Sequence, residues 1–218
     1  MASLPSGSRI AVAIELSEPK ALTAISNAVE AVCTSAAHGL VVGDIVALTS
    51  GWARLDSRVF RVKAVVAPDS FTLEGLAANT SSLTLFPAGA GVGAFVKVLT
   101  WVEVTKVLRN DSSGGAAKKV AYRYLESDNE QEINDGFSAV SRTLDLDADA
   151  ISTPGYEALA ELTATGQDTV VRTTMRKGAV SYLSCTVAMN EEVLMQDGSL
   201  NRVTVDISGK SASTRYAA

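Results

Sequence analysis

Apolar and polar residues alternate along most of this chain, and one stretch breaks into a helical rhythm. Residues 141–147 (Ser-Arg-Thr-Leu-Asp-Leu-Asp) repeat with period two, as do 169–176, 179–189 and 202–208. This pattern predicts strands with one face toward a core. Between the first two, residues 153–165 change period. Thr153 suits an N-cap, Pro154 the first helical position and Gly166 the residue just past the end. Tyr156, Leu159, Ala160 and Thr163 then share one face, with Glu157 and Glu161 nearly opposite, open to water or a neighbour. One helix laid on an antiparallel sheet, with polar side chains left on the other face, suits a part that assembles rather than catalyses.

Earlier in the chain, residues 9–15 predict a first strand, ended by Ser17, Glu18 and Pro19. From 22 to 87 short strands (29–34, 45–49, 58–66, 71–74) alternate with tight turns. Gly39 and Gly43 can take the positive φ that the turn at 37–44 needs. The segment reads as a small, self-contained β module. Residues 87–93 form a linker. Residues 95–108 follow as one long β-type run with Val96, Val98, Val102 and Val104 on one face, longer than the usual strand. Residues 110–115 read as a flexible tip, 119–125 as its returning hairpin partner, and 126–135 as a polar, acidic loop.

The 218 residues are 47% hydrophobic and 20% charged, with a formal net charge of −5. That is enough for one sizeable domain or a domain plus a small module. It lacks the basic excess of a free nucleic-acid binder. No run reaches the roughly 18 apolar residues of a membrane span, so no membrane anchor is expected. Residues 1–9 lack the basic-then-apolar order of a secretory signal. Cys33 and Cys185 lie far apart in strand-like runs and read as two buried thiols.

Candidate chemistry is sparse. His38 is the only histidine and, beside Gly39, reads as a turn residue. No second His or Cys pair gives metal-ligand spacing. The glycines at 89, 91 and 93 lack the Lys-Ser/Thr of a phosphate loop, and no Gly-x-Ser-x-Gly elbow is present. Asp145, Asp147 and Asp149 alternate with Leu144, Leu146 and Ala148 but lack the glycine and terminal glutamate of a calcium loop. They read as one solvated strand face. Neither an enzyme nor a metal or cofactor is expected. Arg172 and Arg176 alternate on another strand and can pair with acids within or between subunits. Such pairs are weak singly, and symmetry multiplies them.

This order of elements resembles the tail tube, or major tail, proteins of long-tailed bacteriophages, over residues 9–16 and 95–216. Within 22–87, Ala37-His38-Gly39-Leu40-Val41-Val42-Gly43-Asp44, then 60–66 and Asp69-Ser70-Phe71-Thr72-Leu73, resemble a small β module recurrent in phage virion proteins. Here that module is read as an insertion, on the outer surface, into a tube-like domain of residues 1–21 and 88–218. The resemblance implies a mainly β sandwich or barrel with one packed helix. It also implies hexameric rings stacked on a tape-measure protein, with tail terminator and tail tip proteins as further partners. Such a subunit is made in the host bacterial cytoplasm and ends in the tail of the virion. DNA passes through the lumen without specific binding. Six copies at −5 give about −30 per ring, and a negative lumen repels DNA phosphates. Asp145, Asp147 and Asp206 are the candidate lumen residues. Arg109, Asn110, Asp111, Ser112, Ser113, Gly114, Gly115 and Lys118 are the candidate inter-ring loop, with either terminus as an arm. Arg172, Arg176, Glu157 and Glu161 are the candidate inter-subunit charges. Two alternatives stay open. One is another virion component, such as a tail terminator, decoration or fibre domain. The other is a carbohydrate- or surface-binding β-sandwich in which Trp52 and Trp101 stack on sugars.

Overall fold

The computed structural model describes residues 6–66 and 68–218; residues 1–5, on which part of the signal-peptide reading rests, lie outside the described residues. The chain begins with β1 (Arg9–Leu16), then β2 (Lys20–Leu22), β3 (Ala24–Ile25), β4 (Val32–Thr34), β5 (Ile45–Ser50), β6 (Val59–Val66) and β7 (Ser70–Leu73). It continues through β8 (Gly93–Val104), β9 (Val107–Ser113), β10 (Ala117–Tyr122), β11 (Gln131–Phe137) and β12 (Ser141–Asp147). The helix α1 (Pro154–Thr165) precedes β13 (Thr169–Thr174), β14 (Val180–Leu194), β15 (Arg202–Gly209) and β16 (Thr214–Tyr216).

The fold is mainly β: one antiparallel sheet, curled into a half-barrel, in the order β3-β4-β7-β6-β5-β8-β1-β13-β14-β15-β12-β9. β2 adds to β8 and β16 to β14, while β10 and β11 pair only with each other. The long strand β8 is the hinge of this arrangement. Its first half, Gly93 to Lys97, pairs with β5, and its second half, Val98 to Val104, pairs with β1. Three apolar clusters follow from this split. Val12, Leu144, Leu146, Leu159, Leu183, Val205 and Ile207 lie between α1 and the inner face of the curled sheet. Trp52, Phe60, Phe71 and Phe95 fill a second cluster within β2–β8. Each such side chain contributes roughly 1.5–3 kcal/mol when fully buried. Ala13, Ile45, Val59, Val98, Val170, Tyr182 and Tyr216 form a third, where β5 and β6 meet the outer face of β1, β13 and β14.

The helix is built as its sequence predicts. Thr153, extended at φ −91°, accepts from the Tyr156 amide, and Gly166 closes the helix at φ 62°. Gly155 permits its close seating: a Cβ there would lie 2.7 Å from both the Glu103 carbonyl oxygen and Val104 Cα of β8. Thr163 ties the helix to the sheet, donating to Leu159 O at 2.8 Å and accepting from the Met189 amide at 2.9 Å.

Several expectations are corrected. The run 95–108 is two strands, because Lys106 takes φ 56° and its Nζ donates to Asp149 O at 2.7 Å. The chain turns a corner there, and β9 joins the far edge of the sheet beside β12. The expected loop of Arg109, Asn110, Asp111, Ser112, Ser113, Gly114, Gly115 and Lys118 is therefore mostly strand. Arg109 to Ser113 pair with Ser141 to Asp145, and only Gly114 and Gly115 turn, at φ 84° and 73°. An edge strand held by backbone bonds needs no apolar alternation, so its sequence looks like a loop. Lys118 lies in the next strand rather than a loop, because residues 117–122 return on 131–137 instead. This places the second half of the expected acidic loop in β11. β13 stops at Thr174, leaving Arg176 in the turn to β14, where the Gly178 amide donates to Met175 O. β14 runs on to Leu194, past the expected Met189.

Candidate assembly surfaces

The outer face of the sheet divides in two. Over β1, β13 and β14 it is covered by β5 and β6, with Tyr216 of the neighbouring β16 packed among them. Over β15, β12 and β9 it stays bare. Cross-strand partners share a face, so the register groups Asp111, Thr143 and Asp206 in one row. Arg109, Asp145 and Thr204 form the next row, and Asp147 and Arg202 the last. Leu144, Leu146, Val203 and Val205 point the other way, into the core.

The three candidate lumen acids do lie on this one face, but they differ in exposure. Asp145 is only 7% exposed, which corrects its reading as a solvated residue. Arg202 lies over it at 3.8 Å, and Thr204 Oγ1 donates to it at 3.2 Å. Asp147 is half-buried and accepts from the Asp149 amide at 3.0 Å, capping a short turn. Asp206 is exposed and accepts from Thr143 Oγ1 at 3.0 Å. Beside this face, β9 is the last strand of the sheet and carries the Arg109–Asp111 ion pair. Among the described residues one side of its backbone has no strand partner, a template for pairing with another chain.

From the base of β9 the hairpin β10–β11 projects, exposed at every residue. Val120 opposes Ile133 and Tyr122 opposes Gln131, so one face carries Val120, Tyr122 and Ile133. The other carries Lys119 and Glu132, joined at 2.6 Å. At the tip, Tyr124 packs edge-on against Tyr122 with ring centroids 5.5 Å apart, and Leu125 is fully exposed. Among the described residues nothing covers the apolar face of this hairpin.

The candidate inter-subunit charges are scattered. Glu157 and Glu161 stand on the open side of α1, and Arg176 is exposed in its turn. Arg172 instead stacks on Trp101 of its own subunit, 4.6 Å from the ring centroid. Trp101 lies in turn against Tyr182. Trp52 is 2% exposed and donates to Pro87 O at 2.9 Å, so it offers no face to a sugar. His38 is buried, accepting from the Leu40 amide at 2.9 Å on Nδ1. Cys33 and Cys185 are free and buried, and burial pushes both thiols up to about 12.

One constellation escaped the sequence reading. Tyr216, near the C-terminus, accepts from the Arg61 amide at 2.8 Å and donates to Glu74 O at 3.2 Å. Arg61 stacks over its ring at 4.5 Å and grips Glu74 in a bidentate pair at 2.5 and 2.6 Å. That pair holds the Glu74 carboxyl below its usual range. The last strand thereby ties β6 and the end of β7 to β14. The only sequence signal was an aromatic residue in a short polar tail.

The family description "Phage tail tube protein, TTP" matches residues 50–218. This chain belongs to the phage tail tube family. It is therefore a structural component of the virion tail. The match starts inside the segment read as an inserted module, at the end of β5, and covers β6 to β16 with α1, while β1 to β4 lie before it. No curated protein matches the chain. Among the described residues, no helix is long and apolar enough to cross a membrane. No group of three or more His, Cys, Asp or Glu among them could hold a metal ion.

Proposed function

We propose that copies of this chain close into six-membered rings that stack into a tube through which DNA leaves the virion. The observation that carries this reading is the family match over residues 50–218. The geometry supports it in two places. The unpartnered edge of β9 lies beside a bare polar face, so a neighbouring strand can extend the sheet around a ring. The β10–β11 hairpin, rather than the β9 segment, is the arm that reaches the next ring. A tape-measure protein inside, and terminator and tip proteins at the two ends, complete the assembly.

In this tube the bare face of β9, β12 and β15 lines the channel, with Asp206 as its exposed acid. A carboxylate there repels passing phosphates, whereas a basic wall would hold DNA through counterion release. Residues 22–87 form a separate module on the outside, and α1 presents Glu157 and Glu161 to a neighbour. Negative-stain microscopy of the purified protein tests the reading: hollow tubes or six-membered rings are expected. A chain that stays monomeric at high concentration would contradict it. Replacing residues 117–137 by two glycines removes the arm. The shortened subunit should keep its thermal midpoint, since among the described residues the hairpin pairs with no other strand, and should stop at single rings. Normal tubes from it would remove the hairpin from the ring-to-ring contact.

A further inference from the structure

A cleft of about 290 Å³ opens on the module between the loop after β5 and the segment after β7, lined by Arg54, Arg58, Leu76, Asn79, Leu85 and Phe86. Its chemistry is unbalanced. Among the described residues neither guanidinium is in an ion pair, and the Arg58 Nε is buried without a hydrogen-bond partner. An orphaned charged donor is destabilising until something fills its place. The rim is apolar: Leu76 is 95% exposed and Leu85 45%, above a buried Phe86. The cleft therefore fits a carboxylate carried next to an apolar side chain.

The same subunit carries that chemistry elsewhere, in a place with no use for it. The tip of the β10–β11 hairpin reads Arg123-Tyr-Leu-Glu126-Ser-Asp128-Asn-Glu130, three carboxylates against one guanidinium. Tyr124 is 57% exposed there, and Leu125 is fully so. We propose that this tip docks into the Arg54–Arg58 cleft of a second copy. Leu125 covers the leucine rim, and an acid among Glu126, Asp128 and Glu130 pairs with the two guanidiniums. Planar guanidinium forks favour carboxylates bidentately, and desolvation by Leu76 and Leu85 strengthens the pair. This inference rests on the self-assembly reading above and names the receiving site of the arm.

Charge exchange tests it in the full-length chain, with the critical concentration for tube formation read by sedimentation and microscopy. Arg54→Glu with Arg58→Glu should raise that concentration at least tenfold, as should Glu126→Lys with Asp128→Lys and Glu130→Lys. Combining both sets should bring it back to within about threefold of wild type, which also shows that the reversed cleft folds. Independently, Arg54→Cys with Asp128→Cys should form a disulfide between copies on assembly, the native cysteines being buried. Wild-type tubes alongside an unaffected cleft variant, or no recovery on exchange, overturn this site alone. A wild-type chain that never assembles removes the tube reading, and this site with it.

Discussion

The C-terminal latch gives the sharpest test of how this subunit is held together. Tyr216→Phe keeps the ring, its contact with Tyr182 and the stack beneath Arg61, and removes only the hydroxyl. The part-buried Arg61 amide then loses its acceptor and the Glu74 carbonyl its donor. A stranded buried donor costs about 1–3 kcal/mol. Tyr216→Ala also empties a site where the side chain is 6% exposed, a truncation worth roughly 3–5 kcal/mol. In a chain of this size each kcal/mol lowers the thermal midpoint by about 2–4 °C. Urea unfolding followed by circular dichroism should rank wild type, Phe and Ala in that order. Hydrogen exchange at the Arg61 amide should quicken in Tyr216→Phe before exchange in β12 or β15 does. A Phe variant with the wild-type midpoint and a protected Arg61 amide would refute the latch.

Two further outcomes follow from burial. The Cys33 and Cys185 thiols are raised from 9.0 to about 12, and the Tyr216 phenol from 10.0 to about 12, each by burial. The native state therefore holds protons that the unfolded chain gives up, so stability is full below about pH 9 and falls toward pH 12. At pH 11 the loss is about 2–3 kcal/mol per thiol. Urea midpoints in reductant between pH 8 and 11 should decline, and Cys33→Ala with Cys185→Ala should flatten the decline; a flat wild-type profile would contradict the burial. Gly155→Ala gains about 1 kcal/mol in helix propensity but drives a methyl to 2.7 Å from the β8 backbone. Overpacking of this kind costs about 1–3 kcal/mol, so a lower thermal midpoint is expected, and a higher one would show that the helix can retreat.

What the sequence made legible was whatever local chemistry decides. Thr153, Pro154 and Gly166 bound the helix because capping depends on a few neighbouring residues. β12 and β15 alternate because one face meets the core. β9 was illegible for the opposite reason: an edge strand buries little, and Asn110-Asp111-Ser112-Ser113 gives no period to read. Partner choice was illegible too. Nothing in residues 119–125 says whether they return on β9 or pair with 131–137. Side-chain exposure failed where long neighbours intervene, as when Arg202 lies over Asp145. Arg142 shares the core-facing parity of Leu144 and Leu146 and is 9% exposed. It finds Thr173 Oγ1 at 2.7 Å and Ser181 Oγ at 3.4 Å, hydroxyls from a strand pair that the alternation alone cannot bring beside it.

The division of the outer sheet face bears directly on assembly. Where β5 and β6 cover β13 and β14, apolar residues such as Val170 and Tyr182 are buried on that face. Where nothing covers β12 and β15, the same face turns to Thr143, Thr204 and Asp206, which water solvates at little cost. A surface of that kind suits a wall facing an aqueous channel and gives little to a protein contact. The hairpin, by contrast, leaves apolar groups uncovered, in Val120, Tyr122, Tyr124, Leu125 and Ile133. An isolated two-stranded hairpin is marginal in water. Burying three of those side chains against another copy returns roughly 5–9 kcal/mol. On the proposed docking, the contact that steadies the arm is also the contact that joins the subunits.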